Sequence, residues 1–317
     1  MSDFDVKAAE AARARQAQLT KPPGSLGRLE DLAVFMAGWQ GTDRPRLDRA
    51  QALVFAGNHG VVAQGITPFP PEVTVAMVRN FNAGGAAINQ LCRAAGADLS
   101  VIALDLDRPT ADFTQGPAMS EAEVSDAMAI GAAAVDANAQ ILLLGEMGIG
   151  NSTTSAALAG AVFGGPAEDW VGQGTGAVAD MLAAKIRVVA EGLARHQPVG
   201  TLDTLAAFGG REQAAICGAI RRARDLRIPV LLDGFICTAA AAVLTCDDPE
   251  ALAHCLIGHE SAERGHRRLI AALDMAPVLS LDMRLGEGSG AAVALLVLRA
   301  ALECHNGMAT FAEAGIV

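Results

Sequence analysis

The sequence predicts an α/β protein: a doubly wound parallel sheet of about six strands with a small helical domain. Two observations carry this. Short apolar runs, each closed by glycine or a polar turn, alternate along the chain with stretches of helical period. Several of these runs are continuously apolar, which is how a parallel strand covered on both faces reads. The chain has 317 residues and is 51% hydrophobic, ample for a large buried core.

The first 45 residues stand apart. Residues 5–18 read as a polar, alanine-rich helix, and Lys21-Pro22-Pro23-Gly24 must end it, since two prolines cannot continue a helix. A second helix is expected over 27–39. The chain divides accordingly into a helical domain, 1–45, completed by C-terminal helical residues near 289–303, and an α/β domain, 46–317. Strands are expected at 52–56, 99–104, 141–144, 205–208, 229–232 and 278–281, each too short for a helix. Helices are expected at 72–95, 121–138, 152–163, 177–195, 211–224, 236–244 and 289–303. Their alternation with the strands argues for a parallel sheet wound on both faces.

Composition excludes several functions. The net charge is −11, from 24 basic and 35 acidic residues, and there is no basic run, so a nucleic-acid partner is not expected. An anionic small molecule remains compatible, because a pocket's local field need not follow the net charge. No segment reaches the roughly 18 apolar residues of a membrane span. The longest candidate, 291–301, is broken by Arg299. The N-terminus carries no apolar signal region, so a cytoplasmic protein is expected. Cys92, Cys217, Cys237, Cys246, Cys255 and Cys304 include no C-x-x-C pair and read as free thiols in a reducing compartment.

In an open parallel sheet, ligands bind beyond the carboxyl ends of the strands. Five of the six expected strand ends carry glycine beside polar or charged residues. They are Gly57-Asn58-His59-Gly60-Val61, Gly145-Glu146-Met147-Gly148-Ile149-Gly150-Asn151-Ser152-Thr153-Thr154, Gly209-Gly210-Arg211-Glu212, Asp233-Gly234-Phe235 and Asp282-Met283-Arg284-Leu285-Gly286-Glu287-Gly288-Ser289-Gly290. Such glycines let backbone N–H groups approach an anion. Ser152 and Thr153 open a helix, where they serve either as caps or as phosphate donors. Gly172-Gln173-Gly174-Thr175-Gly176 precedes the helix holding Lys185 and resembles a generic anion nest, but it is neither a Walker A loop nor a dinucleotide fingerprint. His59 reads equally as a turn residue or a ligand.

Glu287 is the sharpest single residue. A carboxylate between two glycines at a strand-to-helix turn has little local partner. It serves either the helix dipole or general base chemistry, with Glu146 on a neighbouring loop. Cys255, His259, Glu263 and His266 have tempting metal spacings but do not fall on one helical face, and no metal site is expected.

Taken together these loops, with Thr20-Lys21-Pro22-Pro23-Gly24-Ser25-Leu26-Gly27-Arg28-Leu29-Glu30, Phe81-Asn82-Ala83-Gly84-Gly85-Ala86-Ala87-Ile88 and Gly258-His259-x-Ser261-x-Glu263-x-Gly265-His266, resemble the nicotinate-nucleotide–dimethylbenzimidazole phosphoribosyltransferase family. The resemblance runs from about residue 20 to the C-terminal Met308-Ala309-Thr310-Phe311-Ala312-Glu313-Ala314-Gly315. It implies a Rossmann-like sheet, a homodimer, and transfer of a 5-phosphoribosyl group from nicotinate mononucleotide to 5,6-dimethylbenzimidazole in cobalamin biosynthesis, with no cofactor or metal. By motif position it implies Glu287 as catalytic base and Glu146 and Lys185 as active-site residues. It places the wall of the base pocket between Asn58 and Gln64, with Asn58 departing from the aspartate of many relatives. Gly148, Gly150, Asn151, Ser152, Thr153, Gly174, Thr175, Gly176 and Asp233 complete the expected substrate contacts, with His59 beside them.

The chemistry suits these residues. A pyridinium leaving group departs as a neutral ring and needs no proton. The incoming benzimidazole must lose its N–H proton, which calls for a carboxylate base. Two alternatives stay open: a transferase of the same fold preferring adenine, another benzimidazole or a phenol, and a nucleotide-binding paralogue without turnover. The pocket lining would decide the first, and the presence of both Glu287 and Glu146 argues against the second.

Overall fold

The computed structural model describes residues 4–172, 174 and 179–316. Its elements, in chain order, are α1 (Val6–Gln18), α2 (Arg28–Gln40), β1 (Ala50–Ala56), α3 (Glu72–Asn82), α4 (Ala87–Ala95), β2 (Ala97–Ala103), α5 (Glu121–Ala133), β3 (Ile141–Met147), α6 (Asn151–Phe163), α7 (Ala167–Trp170), α8 (Ala179–Arg195), α9 (Gly200–Phe208), α10 (Arg211–Asp225), β4 (Val230–Leu232), α11 (Phe235–Val243), β5 (Cys255–Ile257), β6 (His259–Glu260), α12 (Arg264–Ala272), β7 (Leu279–Ser280) and α13 (Ser289–Gly307). The main sheet is five-stranded and parallel, in the order β2-β1-β3-β4-β5.

Alternate strand residues feed two separate cores, as the two-residue period of a strand requires. Leu53, Phe55, Leu142, Leu144, Val230 and Leu232 join one core, where they meet residues of α5, α6, α10 and α11. Ala52, Val54, Ile141, Leu143, Leu231 and Leu256 join the other, with residues of α2, α4 and α13. Both faces are covered over the central strands β1, β3 and β4, so these are buried almost throughout, whereas edge strand β2 keeps Asp98 and Ser100 exposed. The two helices of the N-terminal segment pack on each other through Ala9, Ala12, Val34 and Ala37. Arg15 and Gln16 on α1 bond to the end of α13, at His305 and beyond.

Three sequence expectations are corrected. Residues 205–208 are the last turn of α9, not a strand. The helix begins at Gly200, where Thr201 and Asp203 make capping contacts, and a short apolar run cannot be told from a strand by period alone. In its place β5 supplies the fifth strand of the main sheet, from a stretch read above only for metal spacing. The expected strand at 278–281 shortens to β7, which pairs with β6 in a separate two-stranded ladder. The expected helix 72–95 breaks into α3 and α4 at Ala83-Gly84-Gly85, where Gly84 adopts φ 78°. All six cysteines are free, and among the described residues no helix is long and apolar enough to cross a membrane.

Candidate active site

A cleft of about 880 Å³, counting its open mouth, lies beyond the carboxyl ends of β3 and β4 and the chain leaving β5. That is the size range of a small-molecule site. It is built on loops because parallel strands all present their carboxyl ends on one rim.

Glu287 sits on this cleft in an unusual conformation. Its φ is 65°, between Gly286 at 85° and Gly288 at 87°. A left-handed glutamate costs on the order of 1 kcal/mol or more, and such strain persists only where the surroundings impose it. Here they do. A Cβ on Gly145 of β3 would lie 2.5 Å from the Gly288 nitrogen and 2.6 Å from the Glu287 carbonyl. The turn therefore presses directly on bare strand backbone. One carboxylate oxygen of Glu287 takes the N–H of Ile88 at the start of α4, and Oε2 has no hydrogen-bond partner. Burial, and then the nearby Asp233 carboxylate, push the Glu287 carboxyl above its ordinary range, against the Ile88 bond.

Glu146 ends β3 and is 5% exposed. The Asn151 amide donates to its Oε2. Its Oε1 faces Gly286, where a Cβ would approach to 2.6 Å. Burial, then the charges of Asp233 and Glu212, push its pKa to about 8. At neutral pH it is mostly protonated and can donate a hydrogen bond. Asp233, after β4, accepts from the N–H groups of Gly288 (3.1 Å) and Ala291 (3.0 Å), while His259 Nε2 stands 3.7 Å away.

The opposite end of the cleft is cationic. Lys185 of α8 reaches in to donate to Ser152 Oγ at 2.9 Å and to the Gly172 carbonyl at 3.3 Å. Burial holds its amine below the ordinary lysine value, and the Glu263 charge opposes that effect. Arg284 donates to the Gly174 carbonyl at 3.3 Å. Gly150, with φ 97°, caps α6, so the positive end of that helix faces the same region.

Of the expected site residues, Glu287, Glu146, Gly148, Gly150, Asn151, Ser152, Gly174, Lys185 and Asp233 line the cleft together. Thr175 and Gly176 lie outside the described residues. Asn58, His59, Gln64 and Thr153 lie outside the lining. The Asn58 amide donates to the Leu106 carbonyl. Gln64 donates to Asp112 and Thr114 and accepts from Arg187. Thr153 is fully buried in α6. His59 lies 2.9 Å from Glu212 of α10, both side chains completely buried, although neither is angled for a hydrogen bond.

The segment after that turn supplies the wall instead, through Ile66, Thr67 and Pro68. Sequence reasoning also left His259, Ser261, Glu263, Arg284 and Leu285 out of the site, though their motifs were legible. His266 shares their loop but serves as its anchor: its Nδ1 accepts from the Ser261 N–H and its Nε2 meets Thr238 Oγ1. Among the described residues no three His, Cys, Asp or Glu side chains converge as a metal site requires.

Comparison with known proteins agrees with this fold. A family model described as phosphoribosyltransferase matches residues 1–316. The nicotinate-nucleotide–dimethylbenzimidazole phosphoribosyltransferase of Rhodobacter capsulatus is 62% identical over 312 residues, covering 98% of this chain and 93% of that one. Its counterpart in Ruegeria pomeroyi is 60% identical over the same coverage. The crystal structure of CobT from Thermus thermophilus superposes with a TM-score of 0.93 at 41% identity, covering 98% of this chain and 99% of that one.

Proposed function

We infer the reaction from one premise: this chain belongs to the nicotinate-nucleotide–dimethylbenzimidazole phosphoribosyltransferase family. It transfers the 5-phosphoribosyl group of nicotinate mononucleotide to 5,6-dimethylbenzimidazole, releasing nicotinate and forming α-ribazole 5′-phosphate for cobalamin biosynthesis.

The residue roles follow from the cleft's charge. We place the pyridinium of the donor at the acidic end, near Glu146 and Glu287, and its phosphate at the end of Lys185, Ser152, Arg284 and α6. The benzimidazole lies against Ile66, Met147, Ile149 and Leu285, which offer apolar surface to its ring. Its free nitrogen attacks the anomeric carbon from the face opposite the pyridinium, which gives the α bond. The C–N bond to nicotinate breaks, and the pair stays with the pyridine nitrogen. The proton on the second benzimidazole nitrogen passes to Glu287. Its raised basicity suits that transfer, and such general-base assistance is worth about 10²–10⁴ in rate. Protonated Glu146 donates a hydrogen bond to the ribose, with Asn151 holding its other oxygen. Alignment of the two rings across the sugar supplies further acceleration.

The observation that carries this reading is the partner-free Oε2 of Glu287, held in a strained turn over the cleft. The dimer belongs to the same proposal: Leu281, near the catalytic turn, is 58% exposed and suits burial by a second copy. A cytoplasmic location is the setting proposed for it. Chromatographic detection of nicotinate, with and without 5,6-dimethylbenzimidazole, tests the reaction. Base-dependent release with a new ribazole phosphate peak is expected; no release with the base present refutes it.

A further inference from the structure

The peptide bond that follows the catalytic glutamate is held from two sides. On one side is bare Gly145, where an added Cβ would lie within 2.6 Å of the peptide's nitrogen, carbon and oxygen. On the other is Asp233. Its Oδ2 accepts from the Gly288 N–H, which belongs to the Glu287–Gly288 peptide itself. Its Oδ1 accepts from the Ala291 N–H, and the Gly290 N–H also points to this carboxylate. All three donors lie at the start of α13, where helix amides have no partner within the helix. The plane of that peptide sets ψ of Glu287, and so the direction of its side chain.

We propose that Asp233 is a positioning residue: by binding the amides of Gly288, Gly290 and Ala291 it holds Glu287 in its left-handed turn and aims the free Oε2 at the acceptor base. It acts through Glu287 and need not touch substrate. The inference rests on the reading of Glu287 as the base.

The titratable groups facing Asp233 come from four elements: His259 from β6, Glu146 from β3, Glu287 from the turn before α13, and Cys237 from α11. Among the described residues His259 is the partner of Asp233 that can carry positive charge. Gly234 and Gly290 confine its ring against the carboxylate, since a Cβ on either would meet it. Removing the Asp233 charge therefore relieves repulsion on Glu287 and makes that carboxylate easier to ionise.

Asp233→Asn tests this. The variant keeps the shape but turns an NH2 group toward one of the backbone donors. The expected result is a loss of about thirty- to hundredfold in kcat, as a misplacement below 1 Å produces. The KM for each substrate stays within about twofold, because no substrate contact is lost. The acid limb of the kcat/KM profile moves to lower pH. A rise in the KM for nicotinate mononucleotide with kcat retained overturns the proposal, and so does an acid limb that stays in place. Wild-type enzyme runs beside it: if wild type releases no nicotinate in the presence of base, the reaction itself is wrong, a separate failure. Circular dichroism and melting check the fold. Should the asparagine variant not fold, Asp233→Ser, smaller and uncharged, faces the same three criteria.

Discussion

Replacing Gly145 with alanine perturbs the base without touching the cleft. The added methyl would lie 2.5 Å from the Gly288 nitrogen and 2.6 Å from the carbonyl carbon and oxygen of Glu287, where ordinary contacts begin near 3.4 Å. Something must move by about 0.8 Å. The strand resists, because β3 is paired on both sides, with Gly145 opposite Val54 of β1 and Leu142–Leu144 opposite β4. The 286–288 turn is the softer partner, held by its bonds to Asp233 and Ile88. Glu287 therefore shifts by nearly the whole amount. A misplacement near 1 Å costs about a hundredfold in rate.

The expected kcat of Gly145→Ala is accordingly about thirty- to hundredfold below wild type, with the KM for nicotinate mononucleotide nearly unchanged, since Lys185 and Ser152 stand at the far end of the cleft. Overpacking of this kind costs about 1–3 kcal/mol of stability, so the variant remains folded. Initial rates of nicotinate release, beside a urea melt, measure both. A folded variant with wild-type kcat would falsify the claim that close packing of the turn on β3 aims the base.

Glu287→Gln preserves shape and removes the base; turnover should fall by about 10²–10⁴ with little change in melting temperature, and a near-wild-type rate would sink the assignment. Lys185→Met keeps the apolar stem and removes the charge, so the KM for nicotinate mononucleotide should rise about ten- to hundredfold while kcat changes little. Steady-state kinetics with varied donor would show whether the lysine binds phosphate. Glu146 gives a test in pH. Its native pKa of about 8 exceeds the ordinary 4.5, so the folded state holds a proton that the unfolded state releases. Its contribution is full below the ordinary value and is lost as pH rises through about 8. Glu146→Gln abolishes that loss. Relative to wild type, its urea stability should improve between about pH 5 and about pH 9, by several kcal/mol at about 1.4 kcal/mol per unit. A constant difference between the two proteins would show that Glu146 titrates normally.

Much of the cleft's lining was legible in the sequence because it sits on glycine-rich turns at the strand ends. The Gly-Glu-Gly turn announced Glu287, and the glycine-rich exits of β3 and β4 announced Glu146, Asn151, Ser152 and Asp233. What stayed hidden depended on distant partners. His59 shares its turn with cleft neighbours, yet its side chain points to Glu212 of α10, buried between Gly57 and Gly210. Nothing in the local pattern of Asn-His-Gly distinguishes that partner from a ligand. The same holds for Gln64, which is claimed by Asp112, Thr114 and Arg187, while Ile66 to Pro68 two residues later form the wall. The fold failed where period is uninformative. Residues 205–208 are apolar enough for a strand, and the helix there starts from two capping contacts: Asp203 accepts the Val199 N–H, and Asp247, far along the chain, accepts the Thr201 N–H.

The division of charge along the cleft suits the leaving group proposed for it. Glu146, Asp233 and Glu287 converge within contact of one turn, and each is pushed toward its neutral form by burial first. Concentrating carboxyl groups in this way is unfavourable unless something positive arrives between them. A pyridinium supplies that charge in the ground state and loses it as the C–N bond breaks. The carboxyl group that gains the benzimidazole proton becomes neutral in the same event, so the acidic end does not accumulate charge during transfer. In the proposed arrangement the cations of the cleft face the donor's phosphate, which stays attached throughout, and they orient the ribose without assisting departure of the ring.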